Sequence, residues 1–218
     1  MGLVEVFVQE PEVATVLVFR TTAEGRSDLL VVGPRTRGSY NPNKRLPVCV
    51  RVRLRPGQTR AVFGAPAHEL ADRVVSLDDL WGRADDPGRV ISRVTEELRT
   101  SPVDGLLDAA MREMTRPGAR LSGVADRLGV GERHLRNLFA RDVGLSPKHY
   151  ARISRVRTVL ELAGRKPWAE VADRAGFFDQ AHMIGDFRSM MGVSPGAFLA
   201  GRLPAVTPCG YTGAALSA

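Results

Sequence analysis

The sequence predicts an α+β protein: a small antiparallel β-rich N-terminal part, then an all-α C-terminal part of two tandem helix-turn-helix units joined by a long helix. Three observations carry this. The first 65 positions read as strands, some alternating at period two and some continuously apolar, the period becomes helical after residue 88, and a stretch of the helical half repeats at a spacing of 47–48 residues.

The strands come first. Val4, Val6 and Val8 alternate with Glu5, Phe7 and Gln9, and residues 14–19 and 28–32 are apolar runs suited to more buried strands. In residues 48–54, Val48, Val50, Val52 and Leu54 alternate with Cys49, Arg51 and Arg53, the pattern of a half-buried strand with Cys49 as a packing residue. Gly33-Pro34, Asn41-Pro42-Asn43 and Arg55-Pro56-Gly57 read as turns between strands of one small sheet. Helices are expected over residues 66–73 and 77–81. Asp85-Asp86-Pro87-Gly88 marks a boundary, which divides the chain into a sensor or dimerisation domain (1–84), a helical linker (85–103), a helical domain (104–203) and a frayed tail (204–218). Two amphipathic helices are expected at 90–100 and 103–115, the second with Leu106, Leu107, Ala110, Met111 and Met114 on one face.

Composition narrows the function classes. The 218 residues include two cysteines and four histidines, and these are not arranged as a disulfide framework or at metal-ligand spacing. No nucleophile–base–acid grouping, phosphate loop or metal motif supports an enzyme, and no cofactor is expected. Apolar runs fall far short of the roughly 20 residues of a membrane span, and the start lacks the features of a secretory signal. A cytoplasmic, nucleoid-associated protein is the expectation. The formal charge is +7, and its distribution is uneven. Residues 1–88 hold 12 Lys/Arg against 11 Asp/Glu, whereas residues 89–203 hold 19 against 13. Positive charge concentrated in the helical half suits a polyanionic partner.

The repeat is the most informative feature. Val124-Ala125-Asp126-Arg127 recurs as Val171-Ala172-Asp173-Arg174, and Phe139, Gly144 and Ser146-Pro147 recur as Phe187, Gly192 and Ser194-Pro195. Each copy reads as helix, tight turn, helix. In the first, Leu121, Val124, Ala125 and Leu128 form an inward stripe, Gly129 makes the turn, and a second helix begins after Gly131. On that helix Leu135, Leu138 and Phe139 share one face, and Arg133, Asn137 and Ala140 point away, flanked by Arg136 and Arg141. Arginine forks suit guanine edges and asparagine suits adenine in the major groove, so Arg133, Arg136 and Asn137 are base-reading candidates. Arg141 and Lys148 are placed for phosphates. A solvated helix face with a common charge mix remains the alternative for these residues taken alone.

At these residues the chain resembles the AraC/XylS family of transcription regulators. The marks are VADRLGVGERHLRNLFARDVGLSPKHY and VADRAGFFDQAHMIGDFRSMMGVSPGAF, with Gly176-Phe177-Phe178-Asp179-Gln180 the most diagnostic part. The resemblance implies seven helices, a joining helix over residues 147–163, and double-stranded DNA as partner, with both recognition helices in successive major-groove segments. By position it adds Gln180, Ala181, Ile184 and Gly185 as base-facing candidates and Arg188 as a phosphate contact. Family members usually carry polar or basic side chains where Ile184 and Gly185 stand, and Asp186 adds a negative charge near the groove, so weak reading through Gln180, His182 and Ile184 is expected there. The N-terminal half resembles a sensor-type domain of AraC-like regulators. The residues that carry this are Val32-Gly33-Pro34-Arg35-Thr36-Arg37, Val52-Arg53-Leu54-Arg55-Pro56-Gly57, and 69–75 with Leu77 and Trp81-Gly82. It implies a small-molecule effector or a homodimer, with RNA polymerase as a further partner. Arg35, Arg37 and Arg53, with Arg51 and Arg55, are candidates for an anionic ligand. The reading in competition is an AraC-like fold serving as a protein-partner module with weakened DNA reading.

Overall fold

A computed structural model describes residues 6–42, 47–82, 87–101 and 104–206. The N-terminal half holds two sheets rather than one. β1 (Val6–Gln9) pairs antiparallel with β4 (Ser39–Pro42), while β2 (Val16–Thr21), β3 (Ser27–Val32), β5 (Val48–Arg53) and β6 (Val74–Ser76) form an antiparallel sheet in the order β5-β2-β3-β6. The period-two pattern of β2 decides its faces. Leu17, with Val31 of β3 and Leu54, buries against Val62 and Phe63 of α1 (Thr59–Phe63), Leu70 of α2 (Ala67–Leu70), Leu77 of α3 (Leu77–Trp81) and Val90 and Val94 of α4 (Pro87–Thr100). Val16, Val18, Leu30 and Val32 form a second cluster on the opposite face.

Four sequence expectations for this half need correction. Asn41-Pro42 closes a strand instead of a turn, because Pro42 stands at the end of a two-stranded ribbon where a missing N–H costs little. The helix expected over 66–73 stops at Leu70: Asp72 takes a left-handed backbone (φ 57), and Thr36 fixes its carboxylate through N–H and Oγ1 at 2.7 Å each. The following residues Val74–Ser76 then pair with β3. Finally, Val48 and Val50 are 41% and 46% exposed and Cys49 is an exposed free thiol. β5 is an edge strand pairing only with β2, and its first half lies opposite Phe19 and Thr21, beyond the helices that cover Leu17. The short helix α1 and strand β6 carry too few residues to show a period. Val4, Asn43 and residues 207–218 of the expected tail lie outside the described residues.

The helical half contains α5 (Gly105–Met114), α6 (Leu121–Leu128), α7 (Glu132–Asp142), α8 (Pro147–Leu162), α9 (Trp168–Arg174), α10 (Gln180–Met191) and α11 (Pro195–Leu199). Leu107, Ala110 and Met114 of α5, Val124 and Ala125 of α6, and Ile153, Val156 and Val159 of α8 share one core with Met183 and Phe187 of α10. The repeat extends to ring contacts. Phe139 meets Tyr150 edge-on at 5.4 Å, and Phe187 meets Phe198 edge-on at 5.8 Å, at the same separation in sequence. Ser146 and Ser194 each accept an N–H three residues on, from His149 and Ala197, and each is followed by proline.

Val13 and Tyr40 of the N-terminal half belong to this helical core, with Val6 and Val8 packed beside it. The backbones of the two halves approach each other closely at Gly144, after α7. It has φ +80, and a Cβ there would lie 2.6 Å from the Ala67 carbonyl oxygen of α2. Its repeat counterpart Gly192 has φ +73, but a Cβ there would meet only a Pro204 ring carbon at 3.2 Å. Gly192→Ala is therefore expected to lose about 1–2 kcal/mol, mainly the left-handed backbone cost, with a small shift of the Pro204 ring. Gly144→Ala should lose clearly more in the same denaturant titration, because two backbones must also separate.

Candidate nucleic-acid interface

Both units close their turn in the same way. Gly129 and Gly176 take left-handed backbone, and the next residue bonds back to the buried alanine: Val130 N–H to the Ala125 carbonyl at 3.0 Å, Phe177 N–H to the Ala172 carbonyl at 2.9 Å. This sends α7 and α10 off at a set angle from α6 and α9. On α7, Leu135, Leu138 and Phe139 are buried, while Arg133, His134, Arg136 and Asn137 are exposed. Arg133 and Asn137 stand one turn apart on that outer face, with no hydrogen-bond partner among the described residues. Arg136 is ion-paired with Glu132, and Arg141 forks onto the neighbouring Asp142 at 2.8 and 2.6 Å. That carboxylate holds the Arg141 guanidinium above its ordinary pKa. Lys148, at the start of α8, is exposed.

The second unit is built differently on its outer face. Gln180, Ala181, His182, Gly185 and Arg188 are exposed, whereas Ile184 is half-buried against the core and Met183, Phe187, Met190 and Met191 are inside it. Asp186, expected to put negative charge near a groove, turns inward instead. Its side chain is only 12% exposed and receives Arg152 of α8 at 2.8 Å and Arg155 at 3.5 Å. The arginines on the joining helix draw the carboxylate inward, so it ties α10 to α8. A feature the sequence reading missed is Phe178, 93% exposed just before Asp179, which caps α10 by accepting the His182 N–H. Phe178 follows Phe177, which is buried and carries Arg155 over its ring, and adjacent phenylalanines give no sign of which one faces out.

The N-terminal half holds the rear ends of both outward helices. The Gly57 N–H donates to the Asp142 carbonyl at the end of α7 at 2.9 Å. The Gly38 N–H donates to the Met190 carbonyl at 2.8 Å, and the Tyr40 hydroxyl donates to the Met191 carbonyl at 2.6 Å, at the end of α10. Burial raises the Tyr40 pKa, so the phenol stays a donor. Between these grips, Glu12 receives Arg157 of α8 at 2.7 Å and Arg53 of β5 at 2.8 Å. Its Oε1 also accepts the Val13 and Ala14 N–H groups. Of the arginines considered for a ligand, Arg35 and Arg53 line one cleft of about 320 Å³ together with Arg51 and Arg157, while Arg37 and Arg55 lie outside it. Arg51 and Arg53 face the cleft because they alternate with Val50 and Val52 along β5. The contribution of Arg157, 145 residues from Glu12, has no local sequence signal.

The helix-turn-helix domain family matches residues 124–201, spanning both units. The chain carries an AraC-type helix-turn-helix domain. This is a DNA-binding domain of transcription regulators. No curated protein matches the chain. Among solved structures, the C-terminal domain of the response regulator AraT from Geobacillus stearothermophilus is 23% identical, covering 51% of this chain and 98% of that one with a TM-score of 0.43. ToxT from Vibrio cholerae is 10% identical, covering 90% of this chain and 97% of that one with a TM-score of 0.45. Among the described residues, no helix is long and apolar enough to cross a membrane.

Burial alone would raise the Glu12 pKa, but the Arg53 hydrogen bond, the Arg157 charge and the Ala14 N–H outweigh it and hold it at about 2. The folded-state value lies below the ordinary 4.5, so this stabilisation is complete above about pH 4.5 and drains away as pH falls toward 2. Its size is on the order of 3 kcal/mol. Thermal unfolding followed from pH 6 to pH 2 should show a steep acid limb, and Glu12→Gln should flatten it while lowering stability at neutral pH.

Proposed function

We propose that this protein is a sequence-specific DNA-binding transcription regulator that reads bases chiefly through α7 and is controlled by a small ligand at its N-terminal half. The observation that carries the reading is the two-faced character of α7 inside the matched domain. A greasy face is locked in the core, and Arg133 and Asn137 project from the opposite face with their donors and acceptors uncommitted. A helix of this kind enters the major groove, where an arginine fork meets guanine and an asparagine meets adenine. Arg136 reads bases as well, after exchanging Glu132 for the base edge.

Lys148 and Arg188 contact phosphates, and Arg141 does so more weakly because Asp142 already occupies its fork. In the second unit Gln180 and His182 are the polar readers, Ala181 and the half-buried Ile184 meet thymine methyl groups, and Gly185 lets the backbone approach closely. This unit positions the protein more than it specifies sequence. The ligand-control part is supported by the clustering of Arg35 and Arg53 in the cleft beside α8.

A second reading, a protein-partner module, draws on Phe178, whose exposed ring offers an apolar contact. Binding to duplex DNA across a salt series separates the two, since phosphate contacts make affinity fall steeply with salt. Arg133→Ala and Asn137→Ala should each relax preference at one or two base positions by about 1–3 kcal/mol. Lys148→Ala should weaken binding to all sequences and lower the salt slope by about 0.9. Absence of duplex binding at low salt would contradict the reading and favour the partner module.

A further inference from the structure

We infer that the cleft between β5 and α8 binds a small dianion, a phosphate monoester or a short dicarboxylate, through Arg35 and Arg51. The inference rests on the ligand-control reading above and names the chemistry of the ligand. The cleft is lined by Arg35, Arg51, Arg53 and Arg157 against only two carboxylates, Glu10 and Glu12. Glu12 is fully engaged: Oε1 accepts two backbone N–H groups and Arg53, and Oε2 accepts Arg53 and Arg157. It therefore accounts for Arg53 and Arg157 and has nothing left for the others.

Arg35 gives Nε and Nη2 to the Glu10 backbone carbonyl at 3.2 and 3.0 Å, which satisfies hydrogen bonds without supplying a negative charge. Its Nη1 is buried and has no partner. Arg51 rests 5.9 Å from the centre of the Phe7 ring and meets no carboxylate among the described residues. Burial, and then the charges of Arg51 and Arg157, lower the Arg35 pKa by more than Glu12 and Asp72 raise it. Alternating arginines on an exposed strand are ordinarily just solvated. A buried guanidinium nitrogen with no acceptor is not ordinary.

The geometry selects the ligand class. A guanidinium fork matches the spacing of carboxylate or phosphate oxygens. Four guanidinium groups over two carboxylates leave two positive charges unmatched in the cleft, which call for two negative ones; a monoanion leaves one unmatched, and a neutral sugar leaves both. Val8 and Val16 supply an apolar wall for a short carbon body, and Phe7 stands at the side beneath Arg51. Because Arg157 stands on the helix joining the two DNA-binding units, an occupant also ties the sheet to that helix.

Calorimetry and thermal unfolding of the full chain, at matched ionic strength, test this with inorganic phosphate, glycerol 3-phosphate, succinate and acetate. At least one of the three polyvalent anions should bind saturably and raise Tm, and acetate should not. The pattern among the three tells a phosphate ligand from a dicarboxylate one. Arg51→Gln, an exposed change with no ion pair to lose among the described residues, should weaken binding about tenfold or more, as should Arg35→Gln. Arg55→Gln, outside the cleft, should leave it unchanged. No saturable binding, equal binding of acetate, or affinity unchanged in Arg51→Gln would overturn the site. Duplex affinity measured with and without the bound anion addresses ligand control separately: binding with unchanged DNA affinity keeps the site and removes the control.

Discussion

Each α-helix ends with carbonyl groups that its own backbone cannot satisfy, and how α7 and α10 meet that requirement organises this molecule. The carbonyls of Asp142, Met190 and Met191 are taken by Gly57, Gly38 and Tyr40, all from the N-terminal half. Rear ends are thereby docked and front ends are left clear. On α7 this division leaves Arg133 and Asn137 in solvent, while the residues after Phe139 run into contact with α2. The two grips come from one folded half, so α7 and α10 are positioned against each other through the sheets as well as through α8.

The ionic contacts follow the same plan. Glu12 lies between β5 and α8 and holds an arginine from each, and Asp186 holds α10 to two arginines of α8. Removing one partner of such a half-buried pair strands the other charge, which makes these ties more consequential than surface pairs such as Arg99 with Glu96. The excess positive charge of the helical half therefore divides into two populations. Arg152, Arg155 and Arg157 are spent internally on α8, and Arg133, Lys148 and Arg188 remain exposed on the outer surface.

Much of this was legible in the sequence because it is local. The repeat, its turn glycines, the Ser-Pro helix starts and the face of α7 are set by residues within a few positions of one another, so period and propensity exposed them. The architecture of an antiparallel β-rich part followed by helices was legible for the same reason. What was hidden depends on distant chain. Asp186 could only be read as an outward charge until Arg152 and Arg155 were seen above it. Val50 looked half-buried because alternation reveals two faces and does not say whether anything covers them. The cleft joins Arg35, Arg51 and Arg157, which share no spacing, and Phe178 differs from Phe177 only in which way it turns.

Hydrogen exchange on the full chain, measured residue by residue with and without duplex DNA, tests the docking of the two helices most directly. The Gly38 and Gly57 amides should already exchange as slowly as the helical core in the free protein and stay so on binding, while new protection appears at the front of α7. Rapid exchange at Gly38 and Gly57 beside a protected helical core would contradict the account, because the N-terminal half would then not be holding the helix ends.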